Sequence, residues 1–318
     1  TQSRDYSFPA SPLKCGLHPP KLHVLPDAIL GLFDGPGGTS PKPTFMGLLP
    51  GIGRAWLALG GRMYIWDWAT AGDVCCWESA GEDTVVHVTV ARPRPGVFVE
   101  SVIAVLVVIT TGSLTLLACQ EGRPATSPLG TSQQQQGRLE ELSMQATGMT
   151  VDVDDEVALL TSGCTADGRI FLGGSDGCLY EVEYRGQVGT GLSWLPPLWR
   201  QSPVRCQLVN RSRSALVAAL LPGFLAGRRS AAPITRIAVD DARGLVWWVD
   251  EASAVSVAAL GTGFSLIAHS RDLLEQTSPV SSIVTIDIVP PSVSQRHIQA
   301  VATCTNGTRL YLSLLPRH

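Results

Sequence analysis

Charge is scarce in this chain. Of its 318 residues only 16% are Asp, Glu, Lys or Arg while 45% are apolar, against roughly 25% charged in an ordinary soluble domain. A low-hydrophobicity disordered chain is thereby excluded, and at this length roughly three quarters of the unfolded surface can be buried. Long apolar runs are lacking as well. The longest uncharged stretch, Ser101 to Gln120, just reaches the ~20 residues that a spanning helix needs. Its middle, Thr110-Thr111-Gly112-Ser113, is turn chemistry between two β-branched runs, so it reads as a hairpin. Sustained helical periodicity is missing, which excludes an encoded solenoid. Paired cysteine spacing is missing too: of eight cysteines only Cys75 and Cys76 are adjacent, with no C-x-x-C and no Cys/His pairing. Neither zinc nor a disulfide framework is expected, and a reduced compartment is the simplest reading.

What is present is a repeated cassette. An apolar strand, a tight turn and a second strand recur at Arg54–Trp68, Val105–Leu117, Gly168–Val182, Gly244–Val257 and Gln299–Ser313. Four of the turns carry Gly60-Gly61, Thr111-Gly112, Asp176-Gly177 and Asn306-Gly307, residues that tolerate positive φ and suit short hairpins. The fifth, Ala252-Ser253, is weak. Turn positions 61, 112, 177, 253 and 307 lie 51, 65, 76 and 54 residues apart. These intervals exceed the ~40–45 residues of a compact propeller blade but fit blades with inserted loops. An all-β β-propeller is expected ahead of a β-sandwich, whose turns fall every 8–12 residues or so without a recurring two-strand unit. Residues 1–46, rich in Pro and Gly, are expected to be an extended segment, and residues 47–318 the propeller. Loops are expected at 121–148, which contains Gln133 to Gln136, and at 205–232.

Catalytic signatures do not hold up. Gly173-Gly174-Ser175-Asp176-Gly177 fits G-x-S-x-G, but acyl transfer needs that motif on a strand-to-helix turn, and here a second strand follows. The six histidines show no ligand spacing. Asp152, Asp154, Asp155 and Glu156 begin like a calcium loop, yet Val157 stands where the turn requires glycine. Gly51-Ile-Gly53 and Gly261-Thr-Gly263 are too short for a dinucleotide fingerprint. No enzyme, metal or cofactor is expected.

The net charge of −3 conceals an asymmetry. Between Glu183 and Asp240 lie 56 residues with eight arginines and no acid, so the rest of the chain sums to −11. Within this window Leu216, Val217, Leu220, Leu221, Phe224 and Leu225 repeat at i, i+1, i+4 and i+5, half of one helical face. Arg211 and Arg213 precede the stripe, Arg228 and Arg229 follow it, and the 14 residues from 214 to 227 are uncharged. The run is too short to cross a bilayer and suits an interfacial segment that inserts apolar groups into lipid packing defects, each arginine adding roughly 1 kcal/mol at an anionic surface. Pro222-Gly223 interrupts any single helix. Two other readings remain: a helix packed on the propeller's own flank with its arginines paired to acids, and a nucleic-acid patch, which lacks stacking aromatics at its centre.

At these residues the chain resembles a known family, the large inner-ring scaffold nucleoporins of the vertebrate one-fifty-five-kilodalton class and their fungal counterparts. Gly168-Arg-Ile-Phe-Leu-Gly-Gly-Ser-Asp-Gly-Cys-Leu-Tyr-Glu-Val-Glu-Tyr184 is similar to that family's signature hairpin almost throughout. Leu25–Leu30, Arg54–Leu57, Trp66–Trp68 and Arg309–Leu312 match in order. The resemblance implies a seven-bladed propeller, of which five hairpins are readable, followed in the family by an α-solenoid missing here. It further implies scaffold duty in the inner ring of the nuclear pore, peripheral to the nuclear envelope, with other inner-ring and linker nucleoporins as partners and no direct nucleic acid. A curvature-sensing loop is implied at the place of Ser214–Leu225. The competing class is a cytosolic or coat-type interaction propeller whose basic loop docks protein.

Overall fold

In a computed structural model of the chain the described residues form nineteen strands in five antiparallel sheets. The structure describes residues 22–33, 43–72, 74–121, 142–185, 205–212, 232–261, 264–270, 273, 281–291 and 297–314. The first sheet holds β1 (Thr44–Leu49), β2 (Arg54–Leu59), β3 (Arg62–Asp67) and β4 (Cys75–Glu78). The second holds β5 (Val85–Ala91), β6 (Val102–Thr110), β7 (Ser113–Glu121) and β8 (Leu142–Asp152). The third holds β9 (Leu159–Cys164), β10 (Ile170–Gly174), β11 (Leu179–Arg185) and β12 (Arg205–Asn210). The fourth holds β13 (Ile234–Asp240), β14 (Leu245–Asp250), β15 (Val255–Ala259) and β16 (Ser265–Ser270), and the fifth β17 (Ile283–Ile288), β18 (Ala300–Cys304) and β19 (Arg309–Leu312). In every sheet the strand order follows the chain. Each recurrent cassette is the second and third strand of its sheet.

The uncharged stretch from Ser101 is the hairpin β6–β7, in register Ile109↔Leu114 about its turn. Its composition follows from being covered on both faces. Val105, Val107 and Ile109 pack toward the third sheet, whereas Leu106 and Val108 pack toward the first. All five are fully buried. In β14, Trp247 and Val249 likewise face the fifth sheet and Val246 and Trp248 the third. A strand with one wet face would alternate apolar with polar; a strand between two sheets cannot. The first strands β1, β5, β9, β13 and β17 touch in that order, so the sheets succeed one another about an axis, as the blades of a β-propeller do. A cavity of about 710 Å³ opens among β1, β5 and β9, bridged where His87 Nε2 meets Ser162 Oγ at 2.9 Å.

Registers fix two rims. At one lie the hairpin turns, the start of each first strand and the end of each fourth strand: Thr44 opposes Leu59 and Glu78 opposes Arg62 in the first sheet, Leu159 opposes Gly174 and Asn210 opposes Tyr180 in the third. The links from first to second and from third to fourth strands leave from the opposite rim. The weak turn of the fourth sheet closes through Ser253 at φ 64°, whose hydroxyl accepts the Ile283 N–H at 3.0 Å.

Sequence boundaries shift in three places. The division expected at residue 46 cuts β1, and the helix α1 (Asp27–Leu30) lays Ile29 on Ala55, Leu57 and Trp66, so part of the segment 1–46 belongs to the packed fold. Residues 142–148, expected in a loop, lie in β8, and residues 205–210 form β12. Both are outer strands, whose mixed burial leaves no regular pattern to read.

Close approach of the third and fourth sheets leaves no room at Gly173, where an added Cβ would lie 2.6 Å from Ile234 Cγ2. Gly173→Ala should lower unfolding stability by about 1–3 kcal/mol in urea titration. Combination with Ile234→Ala should cost somewhat less than the sum of the two single changes, because it removes the Cγ2 contact, while Ile234 Cβ and Thr161 Cγ2, each 2.8 Å from the added Cβ, still crowd it.

Candidate functional site

The residues of the signature hairpin are accounted for one by one. Gly168 opens it at φ +87°, and a Cβ there would lie 2.8 Å from the Arg92 carbonyl, so only glycine fits. Tyr184 closes it: its hydroxyl donates to the Gly168 carbonyl at 2.5 Å and the ring is fully buried. At the turn, Asp176 accepts the Cys178 N–H at 3.0 Å and the Tyr180 hydroxyl at 2.8 Å. Ser175 sits in this hairpin turn as expected, its hydroxyl accepting the Ala158 N–H at 2.9 Å.

Beneath the turn runs a charge network that the third sheet assembles by register. Glu181 and Glu183 on β11 share one face, two residues apart, with Arg169 before β10 and Arg211 after β12 on the same side. Arg169 Nε and Nη2 donate to the two Glu181 oxygens at 2.7 and 2.9 Å, and its Nη1 reaches the Leu260 carbonyl of the fourth sheet at 2.7 Å. Arg211 Nε donates to Glu181 Oε2 at 2.7 Å and its Nη2 to Glu183 Oε1 at 2.6 Å. Burial alone would raise the Glu181 pKa, but the Arg169 hydrogen bonds and charge, joined by those of Arg211, hold it below the usual carboxylate range. A carboxylate so enclosed is tolerable only because both oxygens are paired with cations.

Of the ten residues assigned by sequence to lipid contact, Arg211 is the one among the described residues; Arg213, Leu216, Val217, Leu220, Leu221, Phe224, Leu225, Arg228 and Arg229 lie outside them. The sequence counts Arg211 among the cations flanking the apolar stripe. In the structure its guanidinium is engaged by two carboxylates, with the side chain 26% exposed. It acts as an anchor for the root of the segment. The Arg211 N–H donates to the Leu179 carbonyl at 2.7 Å, and the Ser212 hydroxyl accepts the Leu179 N–H at 2.6 Å. On the far side the Pro233 carbonyl accepts the Glu251 N–H at 2.8 Å. Both roots therefore lie at the rim of the hairpin turns. Sequence reading missed Glu181 and Glu183 as the partners of Arg211, and Arg169 as the second cation on Glu181; the one available signal was the acid pair Glu181 and Glu183 spaced by two on a strand.

Five consecutive four- or three-stranded meanders with their first strands toward a common axis define the chain as a β-propeller, a class that carries interactions on its rims and loops. The chain belongs to the nucleoporin family whose model is described as Nucleoporin_N, Nup133 N terminal like, matched over residues 21–318. It is 30% identical over 285 residues to nuclear pore complex protein Nup154 of Drosophila melanogaster, an alignment covering 84% of this chain and 19% of that protein. To nucleoporin NUP170 of Chaetomium thermophilum it is 27% identical over 332 residues, covering 98% of this chain and 21% of the relative. The chain thus spans about a fifth of the length of the curated relatives it matches. Among solved structures, the crystal structure of the Chaetomium thermophilum Nup170 NTD–Nup53 complex matches with a TM-score of 0.68 at 24% identity, covering 92% of this chain and 38% of that chain. That likeness is one of fold.

Glu181→Gln should cost about 3 kcal/mol or more, since it leaves two inward-facing arginines short of charge. Glu183→Gln, at a third-exposed site, should cost under about 1 kcal/mol. Because the folded Glu181 carboxyl titrates below its ordinary value of 4.5, its contribution is complete above that pH and is lost as the pH falls through the folded value. The stability difference between wild type and Glu181→Gln should therefore shrink below pH 4.5 in denaturant titrations.

Proposed function

We propose that the chain is the propeller of a nuclear pore scaffold protein, peripheral to the nuclear envelope, that meets the curved pore membrane through the segment slung from its hairpin rim and binds other nucleoporins of the inner ring. The observation that carries this reading is the apolar stripe Leu216–Leu225 bounded by Arg213, Arg228 and Arg229. Its roots are pinned at one rim, at Ser212 and Pro233. Membership of the nucleoporin family supports the pore assignment. A relative of the same fold solved in complex with Nup53 supports a partner among nucleoporins.

The chemistry of the segment sets its preference. With Ser, Ala, Pro and Gly opposite the apolar stripe, headgroup attraction is limited to the terminal arginines, so affinity depends on apolar insertion where curvature opens the lipid packing. Arg211 serves as the structural anchor of the segment and the remaining arginines as its headgroup contacts.

Flotation with small and large anionic liposomes should show preference for the small ones, abolished by Leu220→Asp with Phe224→Asp. Equal flotation of wild type and double variant rejects the lipid reading. Loss in the same variant of a soluble protein partner that competes with liposomes assigns the segment to protein docking instead.

A further inference from the structure

The rim opposite the hairpin turns carries a cleft whose wall includes the Arg169–Glu181–Arg211 network and which extends beyond it to Arg94 and Arg185. It measures about 600 Å³ and lies where three sheets meet, walled by Arg94 and Val97 of the second sheet, by Arg169 and Arg185 of the third, and by Leu260 of the fourth. Four arginines and three carboxylates line it: Arg94, Arg169, Arg185 and Arg211 against Asp167, Glu181 and Glu183. The acids are taken. Glu181 holds Arg169 and Arg211, Glu183 holds Arg211 and the Gln207 amide, and Asp167 accepts the Thr165 hydroxyl.

Arg94 and Arg185 remain. Neither has a carboxylate partner among the described residues. Arg94 rests over the Tyr184 ring, 5.8 Å from its centroid. Arg185 ends β11 and is exposed. Local sequence offers no relief, because no acid occurs between Glu183 and Asp240. With four arginines against three carboxylates the lining is net positive by one charge, and two guanidinium groups without a carboxylate partner at its edge form an electrostatic complement to anionic side chains.

We infer that this cleft receives an acidic segment of a partner protein, its carboxylates taken by Arg94 and Arg185 and its apolar side chains laid on Val97 and Leu260. A single phosphate would leave those apolar walls in water. A lipid surface would meet the rim and not the recess between sheets. Arginine is suited to the task because its fork binds a carboxylate bidentately.

The probe is a fluorescein-labelled ten-residue peptide of alternating glutamate and leucine, titrated with the full chain and followed by anisotropy. It should bind with an affinity that falls as salt rises, and about tenfold more weakly to Arg94→Gln with Arg185→Gln. The same peptide with glutamine for glutamate should not bind, and millimolar phosphate should not displace the acidic one. The charge reversal Arg94→Glu with Arg185→Glu should transfer binding to the lysine version of the peptide, which keeps the test decisive if the glutamine variants are less stable. Equal affinity for the glutamine peptide, unchanged binding to the double variant or displacement by phosphate overturns the inference. So does anionic vesicle binding that requires Arg94 and Arg185. None of these outcomes depends on Leu220 or Phe224, so this proposal and the lipid reading stand or fall separately.

Discussion

Burial on both faces of the middle strands is the constraint from which the architecture follows. A sheet pressed between two neighbours must offer large apolar groups up and down, so the period-two alternation that marks a half-wet strand is replaced by an unbroken run such as Val105–Ile109. Successive residues are then assigned to successive interfaces, and one substitution in a middle strand weakens the joint with one neighbour only. At ~25 cal/mol per Å² of apolar area these interfaces are the main favourable term in folding. The low overall charge is the compositional trace of this arrangement, since a charged group in a middle strand is tolerated only where it is paired, as Arg54 is with Asp67 and Glu181 with Arg169 and Arg211.

The same packing explains why a charged network could persist inside the third sheet. Glu181 occupies a face directed at the fourth sheet, where Phe171, Leu179 and Ile234 supply an apolar surround. Arg169, which also reaches the fourth sheet through Leu260, takes both of its oxygens, and Arg211, which closes the third, shares one of them. Four strands and one sheet boundary are thus referred to a single carboxylate. The similarity of the signature hairpin to a family has here a mechanical meaning: Gly168, Gly173, Asp176, Glu181 and Tyr184 each meet a requirement of backbone angle, spacing or pairing.

Legibility in the sequence varied with how local the physics was. Hairpins β2–β3, β6–β7, β10–β11 and β18–β19 are announced by their own turns, because a two-residue connection constrains the residues beside it. The fourth sheet's turn was faint because Ser253 adopts its positive φ with the help of Ile283, thirty positions away. Outer strands β8, β12 and β16 left little trace, their side chains facing partly water and partly protein without period. The network stayed hidden for a similar reason: Arg211 and Glu181 are neighbours only once β11 and β12 pair. At the segment after Arg211, by contrast, composition spoke plainly, for an apolar stripe fenced by arginines needs no tertiary context to be noticed.

Pinning both ends of residues 213–231 at one rim has a geometric corollary. A strand of chain free at one end could extend by its full contour, but one held at Ser212 and again at Pro233 must go out and come back. With at most roughly 3.3–3.6 Å of contour per residue, the nineteen residues 213–231 set a limit on how far from the rim a surface can lie and still be reached. Whatever surface it touches must be found within that tether, which makes the propeller a gauge of distance as well as a platform.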